Sequence, residues 1–82
     1  MENQPKMTNM AKLIKAEINL LEAHYIDDGR VAVSYEFPYR AKYGERRWTK
    51  QVMPVSADLL NTETMYTNMY MLVQALRKEL EQ

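Results

Sequence analysis

The sequence predicts an α+β fold in which a small antiparallel β-sheet, either a hairpin or a three-stranded meander, packs against a long C-terminal α-helix. Between Val31 and Tyr39, every second residue is apolar or aromatic, as in a half-buried strand. Between Thr62 and Glu81, the apolar residues recur instead at helical spacing. A chain of 82 residues has room for one modest core. We therefore expect a flexible arm over residues 1–8 and a single α+β domain over residues 9–82.

The segment from Met10 to Tyr25 has two interpretations. Its apolar residues follow helical spacing, which favours an N-terminal helix. In the alternative, its second half is a strand that pairs with the next strand across a turn at Asp28-Gly29. Glu22 and His24 would then interrupt the apolar face of that strand. We favour the helix and keep the strand as the alternative.

Two further segments predict a β-hairpin. In the stretch from Val31 to Tyr39, the apolar side chains alternate with small or polar ones and Pro38. A polar connection that contains Gly44 follows, and the stretch from Arg46 to Val55 is rich in residues that favour strands. Pro54 lacks the N–H group that an internal strand needs, so we expect this second strand at a sheet edge.

The C-terminal segment has the strongest periodicity in the chain. Glu63 in its first turn and Arg77-Lys78 near its end match the helix dipole, and Asn61 or Thr62 is suited to the N-cap. The apolar positions on one arc of this helix are Met65, Met69, Leu72, Val73, Leu76 and Leu80. We expect this arc to cover one face of the sheet.

Three large side chains of the C-terminal helix extend beyond the arc that one sheet face covers. Tyr66 and Tyr70 widen the arc on one side, and Met71 projects from nearly the opposite side. Tyrosine and methionine both suit adaptable contact surfaces. We therefore predict a protein interface at these three residues. The main hypothesis is a non-catalytic protein–protein interaction module, acting as a homodimer or as a small adaptor or inhibitor that docks on a larger protein.

A second candidate surface is the hairpin over residues 39–50, which holds five basic side chains, three aromatic ones and a single acid. Basic groups contact phosphates and aromatic rings stack on unpaired bases, so the alternative function is binding of single-stranded DNA or RNA. The same groups would also suit an acidic protein surface, and basic residues on exposed hairpins commonly prevent sheets from pairing. Alternation along the second strand could also bury Trp48. The candidate contact residues are Arg40, Lys42, Tyr43, Arg46, Arg47, Trp48 and Lys50.

The composition argues against several classes of function. Eleven basic and eleven acidic residues balance, so no global field attracts nucleic acid or a membrane. The chain has no cysteine, a single histidine and two glycines, which disfavours thiolate metal sites, nucleophilic dyads and glycine-rich phosphate loops. We therefore expect no enzymatic activity, no cofactor, no metal and no small-molecule substrate. Without a long apolar segment or a signal-like N-terminus, the expected location is the cytoplasm, of a cell or of an infected host.

Overall fold

The computed structural model describes residues 17–81. These residues form a three-stranded antiparallel sheet in the order β1-β2-β3, followed by a short 3-10 turn at Ala57–Leu59 and one α-helix. The predicted α+β fold is confirmed, in its three-stranded form. The predicted arm and the first part of the predicted N-terminal helix lie outside the described residues. The elements are β1 (Asn19–Tyr25), β2 (Arg30–Arg40), β3 (Arg46–Ser56) and α1 (Glu63–Leu80).

The segment Asn19–Tyr25 is a strand, so the favoured helical interpretation was wrong for these residues and the alternative is confirmed. A tight turn joins it to β2, with the Ile26 N–H donating to the Arg30 carbonyl at 2.9 Å. Within the turn, the Asp27 carboxylate accepts hydrogen bonds from the Arg30 guanidinium at 2.8 and 3.0 Å and from the Gly29 N–H at 3.0 Å. These bonds, the Arg30 contact foremost, hold the pKa of Asp27 below its ordinary value.

A β-bulge in β1 keeps Glu22 and His24 off the face of the strand that points toward α1. Leu20 and Glu22 pair with consecutive residues of β2, so Leu21 is the extra residue between them. The bulge reverses the alternation, and from this point Ala23 lies on the α1 side of the sheet. Glu22 and His24 lie on the opposite face.

The hairpin of β2 and β3 is long and regular, with paired residues running from Arg30↔Ser56 to Arg40↔Arg46. Both predicted strands are confirmed. β3 is an edge strand, as Pro54 predicted. The turn between the strands depends on Gly44, whose φ of 87° is accessible to glycine at little cost.

The core lies between α1 and one face of the hairpin. Odd-numbered residues of β2 point toward α1, and those from Val31 to Phe37 are all buried. At the centre, the rings of Tyr35 and Phe37 stack with centroids 6.3 Å apart. The buried residues are Ile18, Val31, Val33, Tyr35, Phe37, Met53, Val55, Met65, Tyr66, Met69 and Val73.

Both ends of α1 are held in place by specific contacts. Thr62 is the N-cap: its hydroxyl oxygen accepts from the Met65 N–H at 3.2 Å and donates to the Leu59 carbonyl at 2.6 Å. Asn61 before it has a φ of 62°, a conformation that asparagine tolerates better than most residues. The predicted helix over Thr62–Glu81 is therefore confirmed, with Glu81 as the C-cap.

The C-terminal end of α1 is attached to the far end of β2. The Arg77 guanidinium donates to the Pro38 carbonyl at 3.0 Å and lies 5.5 Å from the centroid of the Phe37 ring. The Glu81 carboxylate accepts the Arg40 N–H at 2.7 Å. These contacts fix the basic end of the hairpin against the helix.

Candidate nucleic-acid interface

The face of the sheet opposite α1 is open within the described part of the chain. Since odd-numbered residues of β2 and β3 point toward α1, the even-numbered residues point away from it. We call this surface the outer face; it also includes Asn19, Glu22 and His24 of β1. It holds exposed aromatic and aliphatic groups, notably Trp48 and Val52.

The strand register concentrates cations at one end of this face. Arg40 pairs with Arg46, and Pro38 pairs with Trp48. Lys50 follows on the same face of β3, opposite Glu36. Lys42 and Tyr43 extend the surface into the turn. We call these residues the hairpin patch: Arg40, Lys42, Tyr43, Arg46, Trp48 and Lys50.

Two aromatic rings of the hairpin patch are exposed beside cations. The Trp48 side chain is 47% exposed, and the Arg46 guanidinium carbon lies 5.4 Å from its ring centroid. Tyr43 is 86% exposed, with the Lys42 ammonium 5.9 Å from its ring centroid. Trp48 is therefore a surface residue, and the interpretation that alternation buries it was wrong, because its register position faces away from α1.

Arg47 does not belong to the hairpin patch. Its position in β3 faces the α1 side, and its guanidinium pairs with Glu45 at 3.3 Å. Arg40 has a structural role as well, since its guanidinium donates to the Gly44 carbonyl at 3.2 Å and so braces the turn. Six of the seven residues predicted for this surface therefore share the outer face or the turn.

The predicted interface on α1 does not form one surface. Tyr66 is only 7% exposed and belongs to the core, which corrects its assignment as a contact residue. Tyr70 is half-buried against the core, and its hydroxyl accepts from Gln74 at 3.4 Å. Met71 alone projects freely, at 65% exposure. Leu59 and Leu60, which precede α1 in the chain, also pack against this core.

The exposed apolar edge at β1 was not predicted from the sequence. Leu20, Leu21, Tyr25 and Ile26 are all exposed large hydrophobic residues. Leu20 and Leu21 also line a shallow groove of about 170 Å³ that reaches Met65 at the start of α1. The strand interpretation of this segment would have indicated such an edge.

Neither a metal site nor a membrane-spanning helix is found in residues 17–81. No group of three or more histidine, aspartate or glutamate side chains there is placed to hold a metal ion. His24 instead contacts the Glu22 carboxylate at 3.2 Å on an exposed surface. No helix in this part of the chain is long and apolar enough to cross a membrane.

Comparisons with known proteins do not assign a family or a function to this chain. No family model, no curated protein and no solved structure matches the chain. The candidate site is therefore judged on its own residues.

Proposed function

We propose that this protein is a non-catalytic binding protein that holds single-stranded nucleic acid on its hairpin patch. One observation carries the proposal: the register places Arg40, Arg46 and Lys50 on the same open face as an exposed tryptophan. Cations that follow a phosphate backbone, combined with an aromatic ring for base stacking, are the usual components of sequence-tolerant single-strand binding.

The charge of the hairpin supports this proposal although the whole chain is neutral. Residues 39–50 contain five basic groups and one acid, and Glu45, that acid, pairs with Arg47 on the α1 side. Within residues 17–81, none of the four cations of the hairpin patch forms a salt bridge, although Glu36 lies opposite Lys50 in the strand register. A local field of this kind attracts polyanions at short range, within about one Debye length of ~8–10 Å.

Trp48 supplies the second component. Trp48 is opposite Pro38 in the strand register and 47% exposed, so part of its ring is accessible to a base. Stacking of a base on such a ring contributes roughly 1–3 kcal/mol. Arg46, held over the ring, is placed to meet the phosphate next to a stacked base.

A second candidate is a protein-interaction module, favoured by the exposure of Met71 on α1. Tyr70 and Met71 are the residues of the predicted α1 interface that retain accessible surface. A docking protein would contact these two residues without engaging the hairpin patch. Pull-down from native lysate with and without nuclease separates the two candidates, because a partner held through nucleic acid is lost after nuclease treatment.

The proposed function is tested with a fluorescently labelled single-stranded oligonucleotide, followed by anisotropy at several salt concentrations. Affinity is expected to fall as salt rises, with a slope of about −2 to −3 in log K against log salt for three to four phosphate contacts. Arg46→Ala is expected to reduce this slope by about 0.7, and Trp48→Ala to weaken binding by about tenfold or more.

Lys78→Ala is the matched control, because it removes one exposed cation from α1, which lies on the opposite side of the sheet from the outer face. It is expected to leave affinity within about twofold of the unmodified protein. Absence of binding at low salt would overturn the proposal. An equal loss for Lys78→Ala and Arg46→Ala would show that binding is not located at the hairpin patch.

We further propose a cytoplasmic location, where single-stranded nucleic acid is accessible to such a protein. Cell fractionation with an antibody against the native chain tests this location directly.

A further inference from the structure

The two edges of the sheet differ in how well they resist pairing with another strand. β3 carries Arg46, Arg47, Lys50 and Pro54, which are residues that keep edge strands apart. β1 contains no lysine, arginine or proline. Within residues 17–81, nothing pairs with its free edge. The exposed backbone of β1 is therefore the place where the described structure admits another strand.

We infer that the partner for this edge is a second copy of the same chain, which adds its own β1 in antiparallel orientation. Antiparallel strands place directly opposed residues on the same face of the sheet. Neighbouring residues of one strand lie on opposite faces, so a two-fold axis between two neighbours would oppose residues of different faces. The axis must therefore pass through one residue, which then lies opposite its own copy. Near the middle of β1, the candidates for that axial residue are Glu22, Ala23 and His24.

Charge selects one of these three registers. An axis at Glu22 places two carboxylates directly opposite each other, and an axis at His24 does the same with two imidazoles. The two carboxylates would repel each other, and the two imidazoles would have no oppositely charged group across the strands. An axis at Ala23 instead places Glu22 opposite His24 of the partner subunit, and this pair occurs twice. β1 is therefore self-complementary about Ala23.

The chemistry of this pair is already visible within one copy. The His24 Nε2 lies 3.2 Å from a carboxylate oxygen of Glu22 on the exposed outer face. In the dimer, the same two groups meet across the strands. On the α1 side of the sheet, the Ala23 axis sets Leu21 against Tyr25 of the second copy and covers two exposed hydrophobic side chains. Because the bulge lies at Leu21, the regular pairing in this register covers Glu22–His24 of each copy, and Tyr25 lies next to the bulged Leu21 of the second copy.

The resulting assembly is a six-stranded sheet in the order β3-β2-β1-β1-β2-β3. Both copies of α1 lie on one side, and both hairpin patches lie on the opposite, outer face. A single strand of nucleic acid longer than one patch would then meet two of them. The dimer itself does not depend on nucleic-acid binding, so the failure of one proposal leaves the other intact.

Cysteine cross-linking tests this register directly, because the chain contains no cysteine of its own. Ala23→Cys in the full chain places two thiols opposite each other on the axis, within the Cα separation of roughly 4.4–6.8 Å that a disulfide accepts. Mild oxidation is expected to yield a covalent dimer. Val52→Cys, an exposed position on the other edge strand, is the matched control and is expected to remain monomeric under reducing-agent-free gel analysis.

A charge exchange provides an independent test with an equilibrium readout. Glu22→Lys and His24→Glu are each expected to weaken the dimer by about tenfold in sedimentation equilibrium, since each sets two like or unmatched charges opposite each other. The double variant restores opposite charges and is expected to recover most of the affinity. Circular dichroism confirms that each variant is folded.

Three outcomes would overturn the inference. Equal cross-linking of Ala23→Cys and Val52→Cys would show only random collision. A dimer that does not cross-link through Ala23→Cys would use another surface. A chain that stays monomeric at all concentrations while its β1 amides resist exchange would show that another part of the same chain covers this edge.

Discussion

The two edge strands of the sheet present different chemistry to solvent. β3 carries cations and a proline, and its exposed ring is Trp48. β1 carries neither lysine nor arginine, and its exposed hydrophobic side chains include Leu20, Leu21 and Tyr25. An edge that repels other strands is suited to a flexible polyanion, whereas an edge without such groups is suited to another strand. Under our two proposals, one small sheet offers two separate binding surfaces.

The two edges also differ in how firmly the domain holds them. The hairpin packs its inner face under α1, and Arg77 and Glu81 attach the end of the helix to β2. β1 pairs with β2, but every one of its residues is exposed. We therefore expect the hairpin and α1 to form the stable unit, with β1 as its peripheral strand.

Substitutions in the core of this stable unit are expected to lower the free energy of unfolding far more than substitutions in β1. Phe37→Ala removes a fully buried ring that contacts Tyr35 and Arg77, and is expected to lower the free energy of unfolding by about 3–5 kcal/mol. Leu21→Ala, at an exposed position of β1, is expected to lower it by less than about 1 kcal/mol. Urea unfolding, at a protein concentration where the chain is monomeric, measures both values. Similar losses for the two variants would contradict the distinction between core and periphery.

Tyr35→Phe is the control for that comparison. The Tyr35 hydroxyl is buried without a hydrogen-bond partner among the described residues, and this burial raises its pKa. Removing a hydroxyl that gains no hydrogen bond is expected to change the free energy of unfolding by less than about 1 kcal/mol, or to raise it. A large loss would show that the hydroxyl has a partner.

An intermediate effect is expected at the border of the hairpin patch. Glu36 lies opposite Lys50 on the outer face, and its carboxylate accepts from the Asn19 amide at 3.1 Å. Glu36→Gln removes a negative charge near the bound phosphates and is expected to tighten oligonucleotide binding about twofold to threefold at low salt. Anisotropy titration measures the change. Glu79→Gln on α1 makes the same change of charge elsewhere, and an equal gain there would contradict a localised site.

The smallest effect is expected in the turn that joins β1 to β2. The Arg30 contact lowers the pKa of Asp27, so the charged carboxylate stabilises the fold above its ordinary pKa, and this stabilisation is lost as pH falls through the lowered value. Asp27→Asn is expected to lower the melting temperature slightly at neutral pH and to lose this effect at a pH well below the lowered pKa of the carboxyl group. Melting curves at both pH values test this, with Asp28→Asn as the control for charge. An unchanged difference at low pH would contradict the assigned cause.

Local patterns were sufficient to predict most of the fold. The alternation from Val31 to Tyr39 and the cap at Thr62 depend on neighbours within a few residues, so both could be identified from the chain alone. The bulge at Leu21 could not, because it depends on how β1 is aligned with β2. Without the bulge, Glu22 and His24 interrupt the apolar face of the predicted strand, so the sequence left both interpretations of this segment open.

The candidate sites were predictable to different degrees. The basic composition of the hairpin was evident in the sequence, whereas the face on which each side chain lies depends on the register, which placed Trp48 outside and moved Arg47 away. Tyr66 is buried in a core that also has neighbours from outside the helix, such as Leu59 and Leu60. A helical wheel contains no information about such a neighbour.

The measurement that tests the proposed function most directly is the fluorescence of Trp48, the single tryptophan of the chain. Titration with single-stranded oligonucleotide at low salt is expected to quench its emission to a saturating level, because a base stacks on the exposed indole. Added salt is expected to restore the emission, as phosphate contacts are replaced by ions. Emission that stays unchanged under an excess of oligonucleotide at low salt would contradict a nucleic-acid site on the hairpin patch.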